Sequence, residues 1–218
     1  MNNMVIINGS PKTKNSASIM FINKVKKFLD IKPIIYHTTE LILQEKNSKA
    51  ISDILNTDVL LFVFPLYVDS LPAPLIKVLT MIEQEAMTSN GKHPIVYAIS
   101  NCGFFEAEHN RLALDILKNF SIRLGMSWGY GIGIGGGGFV TSQSKNISPK
   151  GSAANVYIVL CELSKAMENK DGKKLNVFVK PTIPRFLYKS SGNLGWYQMA
   201  LKHGSIRSLK AKPHDSKK

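Results

Sequence analysis

Met4-Val5-Ile6-Ile7-Asn8-Gly9-Ser10-Pro11-Lys12, followed closely by Asn15-Ser16-Ala17-Ser18, is the stretch on which the reading of this chain turns. Val5, Ile6 and Ile7 form an unbroken apolar run, as expected of a central parallel strand covered by helices on both faces. Gly9 then lets the chain turn sharply. Ser10, Ser16 and Ser18 bring hydroxyls, Lys12 brings a cation, and the open N–H groups at the start of the next helix point at whatever anion lies before them. Together these describe a cradle for a phosphate monoester. Ordinary helix capping is the competing reading, since Ser and Asn are preferred at helix N-termini in any case.

Working outward, Ile19, Ile22, Val25, Phe28 and Leu29 recur on one face and predict a helix over Ala17 to Leu29. Pro33 to Tyr36 reads as a short second strand and Ala50 to Asn56 as a helix. Val59 to Phe64 is a continuous apolar run that stops at Pro65, which cannot donate to a ladder, so it is the third strand. Pro65 to Pro74 reads as a rigid loop and Leu75 to Glu85 as a helix. His93 to Ser100 forms a fourth strand ending in Asn101-Cys102-Gly103-Phe104-Phe105. Glu106 to Leu124 carries acids in its first turn and Arg123 in its last, matching the helix dipole. Ser127 to Ile134 is the fifth strand, and Ala153 to Met167 the last helix of the repeat. Regular alternation of strand and helix predicts an α/β fold with a doubly wound, five-stranded parallel sheet in the order 2-1-3-4-5.

Length and composition set the class: 218 residues with 44% apolar content suit one domain of ordinary size. Two cysteines, Cys102 and Cys161, make neither a disulfide framework nor a Cys-based zinc site. His37, His93, His109, His203 and His214 lack ligand spacing, so no metal is expected, and His109 is read as a surface helix residue. With no charged leader ahead of an apolar stretch, and no run near the roughly 20 apolar residues that span a bilayer, the reading is a reducing, cytoplasmic protein. The net charge of +13 suggests nucleic acid until it is located. Twelve Lys and Arg fall in residues 170–218 against Asp171 and Asp215, which leaves sixteen against thirteen Asp and Glu elsewhere. The body is nearly balanced, and nucleic acid is not expected as a partner.

Ligands of open α/β sheets bind beyond the carboxyl ends of the strands, where the strand order reverses. The loops after strands one, three and four meet there. Tyr67 and Phe104 offer flat apolar surface, and backbone groups of Leu66, Val68, Cys102 and Gly103 suit polar ring edges. Phosphate in one loop with a planar ring across two others suggests FMN. On Gly9-Ser10-Pro11-Lys12 with Ser16-Ala17-Ser18, on Pro65-Leu66-Tyr67, and on Asn101-Cys102-Gly103-Phe104, the chain resembles the flavodoxin-like NAD(P)H-dependent FMN reductases and oxidoreductases. The resemblance covers about residues 1–170, and residues 171–218 form a basic C-terminal extension. It implies that Ser10, Lys12, Ser16, Ala17 and Ser18 hold the phosphate, and that Pro65, Leu66, Tyr67 and Val68 with Asn101, Cys102, Gly103 and Phe104 hold the ring. Lys12 stands where the family often has Arg, exchanging a bidentate contact for a point charge. The two cysteines cannot make the cluster of the related iron–sulfur flavoproteins.

The resemblance further implies hydride transfer from a nicotinamide co-substrate, NADH or NADPH, to FMN and on to a small-molecule acceptor. It gives no side chain a catalytic role, and it implies a homodimer. The rivals are a flavodoxin-type electron carrier, usually more acidic than this body, and a non-catalytic binding module. Cys102 is read as a small residue beside the ring and Cys161, near Ile158, Leu160 and Leu163, as core. Gly131-Ile132-Gly133-Ile134-Gly135-Gly136 has dinucleotide-fingerprint spacing, but it lies inside a predicted strand, with no helix opening from it and no suitably placed carboxylate. Gly135 to Gly138 is read instead as a flexible strand end approached closely by a ligand or a partner subunit.

In the extension, Arg185-Phe186-Leu187-Tyr188-Lys189 leads through Ser190-Ser191-Gly192 to Trp196, Tyr197, Met199 and Leu201. One reading is a helix or arm packed on the body or a dimer mate, followed by a solvated Lys-rich end. The other is transient contact with an anionic membrane surface, where a quinone acceptor would be met.

Overall fold

The computed structural model describes residues 3–43, 48–88, 93–142, 147–172, 175–209 and 211. The Lys-rich end from 212 lies outside them. β1 (Met4–Asn8) sits between β2 (Ile34–His37) and β3 (Val59–Pro65), and the sheet continues through β4 (Ile95–Asn101), β5 (Ser127–Ile134) and β6 (Val177–Val179). Every pair is parallel, and the order is 2-1-3-4-5-6.

The expected order 2-1-3-4-5 is therefore present, with six strands rather than five. Val177-Phe178-Val179 pairs with Ile132 to Ile134. Three residues are too few for an alternation to be read. The Asn176 carboxamide oxygen, which accepts from Gly131 N–H at 2.9 Å and from the Trp128 indole at 3.3 Å, holds the strand in place. The compact body accordingly runs through Thr182, past the boundary at 170, and residues from Ile183 form a second unit.

Eight helices are described: α1 (Ala17–Lys26), α2 (Thr38–Leu43), α3 (Ser48–Leu55), α4 (Ala73–Ala86), α5 (Arg111–Arg123), α6 (Gly137–Ser142), α7 (Ala154–Asn169) and α8 (Arg185–Lys202). β3 shows why its run is apolar throughout. Leu61 and Val63 pack toward α1 and α7 with Phe21, Val25, Leu160 and Leu163, while Leu60, Phe62 and Phe64 pack toward α3, α4 and α5 with Ile54, Leu75, Val78 and Leu114. α4 begins at Ala73 rather than at Leu75, because Pro74 in its first turn carries a φ already suited to a helix and needs no N–H partner there.

The Gly-rich end of β5 is not a flexible tip. A six-residue helix, α6, opens from it, and Gly135 and Gly137 are buried. A Cβ on Gly135 would lie 2.4 Å from the Phe105 carbonyl oxygen, and one on Gly137 would lie 2.8 Å from that of Cys102. At Gly135 and Gly137 the close approach is to the chain's own loop after β4. Gly131 and Gly133 lie within β5, where a Cβ would meet Leu114 and Phe178, each at 2.7 Å.

Candidate functional site

Asn8 ends β1 completely buried, its carboxamide Nδ2 2.9 Å from His37 Nδ1. Its Oδ1 accepts from Ser10 N–H at 3.1 Å, and Ser10 Oγ accepts from Lys12 N–H at 3.2 Å, so side chains rather than a ladder shape this turn. Gly9 keeps a negative φ, and sharp turning is not its task. Its N–H bonds the Val63 carbonyl at 2.8 Å, and a Cβ there would stand 2.9 Å from both Phe64 Cβ and Leu75 Cδ2. Glycine is needed for closeness. The left-handed residue of the loop is Asn15, at φ 53°, a conformation Asn tolerates.

Ser16 is the N-cap of α1, accepting from Ile19 N–H at 3.2 Å. The capping reading is thus correct for Ser16, and it leaves a remainder. Ala17 and Ser18 N–H find no acceptor among the described residues, and Ser18 Oγ is buried, the residue being 1% exposed, without a hydrogen-bond partner. Ser10 and Ser16 accept bonds from the backbone yet keep their own O–H hydrogens to donate. Lys12 is exposed at the rim. From this loop a groove of about 700 Å³ runs along α1, lined by Asn15, Ser16, Met20, Lys24, Lys27 and Thr141 among others. Neither Tyr67 nor Phe104 lines it.

The other two loops are bonded to each other. Leu66 N–H donates to the Asn101 carbonyl at 2.8 Å, and Asn101 Nδ2 donates to the Phe64 carbonyl at 3.0 Å. Tyr67 and Ser70 exchange backbone bonds at 3.1 and 3.0 Å around Val68 at φ 49° and Asp69 at φ 55°. Two positive φ values define a tight turn of the type that favours Asn-Gly. Val there is strained by about 1–2 kcal/mol, and its side chain is 98% exposed. Among the described residues no packing compensates for that strain. Tyr67 beside it is half exposed.

Phe104 is likewise half exposed, with its ring 4.3 Å from that of His109 at an interplanar angle of 31°. His109 lies in a 3₁₀ turn, Ala107–Asn110, that replaces the first turn of the helix expected from Glu106. His109 is exposed, as expected of a surface helix residue, and no sequence signal marks the stacking, because the turn brings the rings together. Asn110, in the same turn, is a second residue that sequence reasoning missed. Completely buried, it accepts from Ser100 Oγ at 2.7 Å and donates to the Ala107 carbonyl at 2.9 Å and to Cys102 Sγ at 3.3 Å.

Cys102 is buried beneath this loop. Burial pushes its thiol above the ordinary value, and hydrogen bonds from Asn110 and to Phe104 oppose that only in part. A protonated, enclosed thiol is not a nucleophile. Cys161, expected in the core, is only half-buried on α7. The main chain also departs from expectation. The Leu66 N–H is engaged as above, Cys102 N–H donates to the Ile134 carbonyl at 2.9 Å, and the Cys102 carbonyl accepts from Gly137 at 2.8 Å. These N–H groups are therefore unavailable to a ring, because the loop continues the hydrogen bonding of the sheet. Among the described residues no group of His, Cys, Asp and Glu can hold a metal ion, and no helix is long and apolar enough to cross a membrane.

No protein-family profile matches this chain, and no curated protein matches it in sequence. Solved structures do share its architecture. An NADH:FMN oxidoreductase in its apo form is similar over 80% of this chain and 92% of its own, with a TM-score of 0.59 and 18% identity. An NAD(P)H:quinone oxidoreductase from Methanothermobacter marburgensis is similar over 79% and 98%, with 0.55 and 12%. General stress protein 14 from Treponema denticola, in complex with FMN, is similar over 74% and 99%, with 0.54 and 13%. The fold is the flavodoxin-like, doubly wound α/β fold, extended here by a sixth strand.

Proposed function

We propose that this chain is an FMN-dependent NAD(P)H oxidoreductase whose acceptor is a small molecule, either a quinone, a free flavin or a compound of similar redox character. The observation that carries the reading is the unsatisfied start of α1: a buried Ser18 hydroxyl and two open N–H groups, at the sheet edge where the strand order reverses. A buried hydroxyl without a partner costs about 1–3 kcal/mol, and an anion oxygen seated there would relieve it. Ser10, Lys12, Ser16, Ala17 and Ser18 would hold the FMN phosphate. Pro65 to Val68 and Asn101 to Phe104 would hold the ring, with Tyr67 and Phe104 supplying its apolar contacts and the paired loops excluding water from one side.

Bound FMN would supply the hydride chemistry, taking hydride from the nicotinamide and passing it to the acceptor. The chain's own part is orientation. The rigid Tyr67–Ser70 turn and the Asn110 network beneath Cys102 fix the two ring-facing loops before anything binds. FMN reduction and quinone reduction named for structural neighbours, and FMN bound to another, support this reading at the level of fold. We further infer a cytoplasmic homodimer. Leu112 and Ile116, one turn apart on α5 and both exposed, form an apolar strip that a mate would cover, and two unpaired cysteines suit a reducing compartment.

The test is anaerobic stopped-flow mixing of the FMN-loaded protein with NADPH and with NADH. Rapid loss of the flavin band with at least one of them is expected. No bleaching with either would reject the oxidoreductase reading in favour of an electron carrier.

A further inference from the structure

α8 belongs to the second unit, Ile183–Lys218, and it carries apolar residues that no described residue of that unit covers. At 3.6 residues per turn, Phe186, Leu187, Leu194, Tyr197 and Leu201 fall within about 100° of its circumference, and all five are exposed. Lys189 lies to one side of this stripe and Lys202 to the other, with Trp196 beside Lys189. The helix also contains Ser190, Ser191, Gly192 and Gly195, residues that weaken an isolated helix. A segment of this composition needs a surface to lie on.

We propose that α8 docks flat on a membrane surface bearing anionic phospholipid, with the Phe186-Leu187-Leu194-Tyr197-Leu201 stripe in the acyl boundary and Lys189 and Lys202 at the headgroups. Charge selects this occupant. From Gly172 to His214 the sequence holds no Asp or Glu, so the same segment of a second copy laid against this stripe would set cations against cations. An anionic bilayer complements both the stripe and the lysines that flank it. With 18 residues and interrupting polar positions, α8 lies on the surface and does not span it. The proposal does not rest on the flavin reading, and either can fail alone.

The experiment is sedimentation of the full chain with phosphatidylcholine vesicles that contain or lack phosphatidylserine. Co-sedimentation with the anionic vesicles, loss of it on raising salt, and recovery in the supernatant with phosphatidylcholine alone are expected. Leu194→Glu, on an exposed position, should lower partitioning by more than about tenfold, and the Lys189→Glu/Lys202→Glu pair should do the same while keeping the apolar stripe intact. A far-UV spectrum unchanged from wild type keeps both variants interpretable. Equal recovery in the supernatant from both vesicle types overturns the proposal. So does a dimer, seen by sedimentation equilibrium, that Leu194→Glu splits while vesicle binding is absent, since the stripe would then be an interface between copies.

Discussion

Phe62 in β3 and Phe186 in α8 are the same side chain in opposite settings, the first fully buried between sheet and helices and the second 67% exposed. In the body, both faces of the sheet are closed by helices, and the groups left over at the sheet edge where the strand order reverses are polar or strained: the Ser18 hydroxyl, the first N–H groups of α1, and the Val68-Asp69 turn. In α8 the leftover is apolar, framed by cations. Leftover groups indicate what each region has yet to meet, since a folded chain satisfies its buried polar groups and covers its larger apolar surfaces. On the readings proposed above, the body would take an anion with a flat apolar attachment, and α8 an anionic apolar boundary.

Truncation sharpens the contrast most. Phe62→Ala should cost about 3–5 kcal/mol of stability, because it opens a cavity in a closed core. Phe186→Ala should stay within about 0.5 kcal/mol in solution. Urea unfolding of the two variants measures both, and equal losses would break the comparison by showing that α8 is packed as firmly as the sheet. Next in size is Ser18→Ala. Removing an unsatisfied buried hydroxyl should stabilise the flavin-free protein by up to about 1 kcal/mol, while weakening FMN binding by roughly ten- to a hundredfold through loss of a charge-assisted hydrogen bond. Opposite signs in the two measurements are the point. A loss of stability without a change in affinity would make Ser18 an ordinary core residue. The smallest effect expected is a gain of about 1 kcal/mol for Val68→Asn, which accommodates a positive φ that a β-branched residue resists, read from the same urea midpoint.

Most of the architecture was legible because parallel strands buried on both faces are long unbroken apolar runs, as β1 and β3 are. What escaped was short or held by tertiary contacts. β6 has three residues and depends on the Asn176 side chain, and α2 and α6 have six residues each, the latter opening in glycines of poor helix propensity. In the candidate site, the three loops were legible from residue type and from their position after strands. Their internal wiring was not. Nothing in one dimension shows that Gly9 makes room for Leu75, that Cys102 donates into its own loop, or that His109 folds back onto Phe104. Cys161 was misread for a related reason. Apolar neighbours in sequence do not fix which side of α7 a residue faces, and α7 leaves this one half-buried.

The central claim is that the start of α1 and the two ring-facing loops form one FMN site. Its most direct test is titration of the purified, flavin-stripped full chain with FMN and, in parallel, with riboflavin, following flavin fluorescence and the visible band. Saturable binding of one FMN per chain is expected, with riboflavin binding weaker by at least about a hundredfold, since riboflavin lacks the phosphate that the cradle would satisfy. Equal affinity for the two flavins, or no saturable binding of FMN, would contradict it.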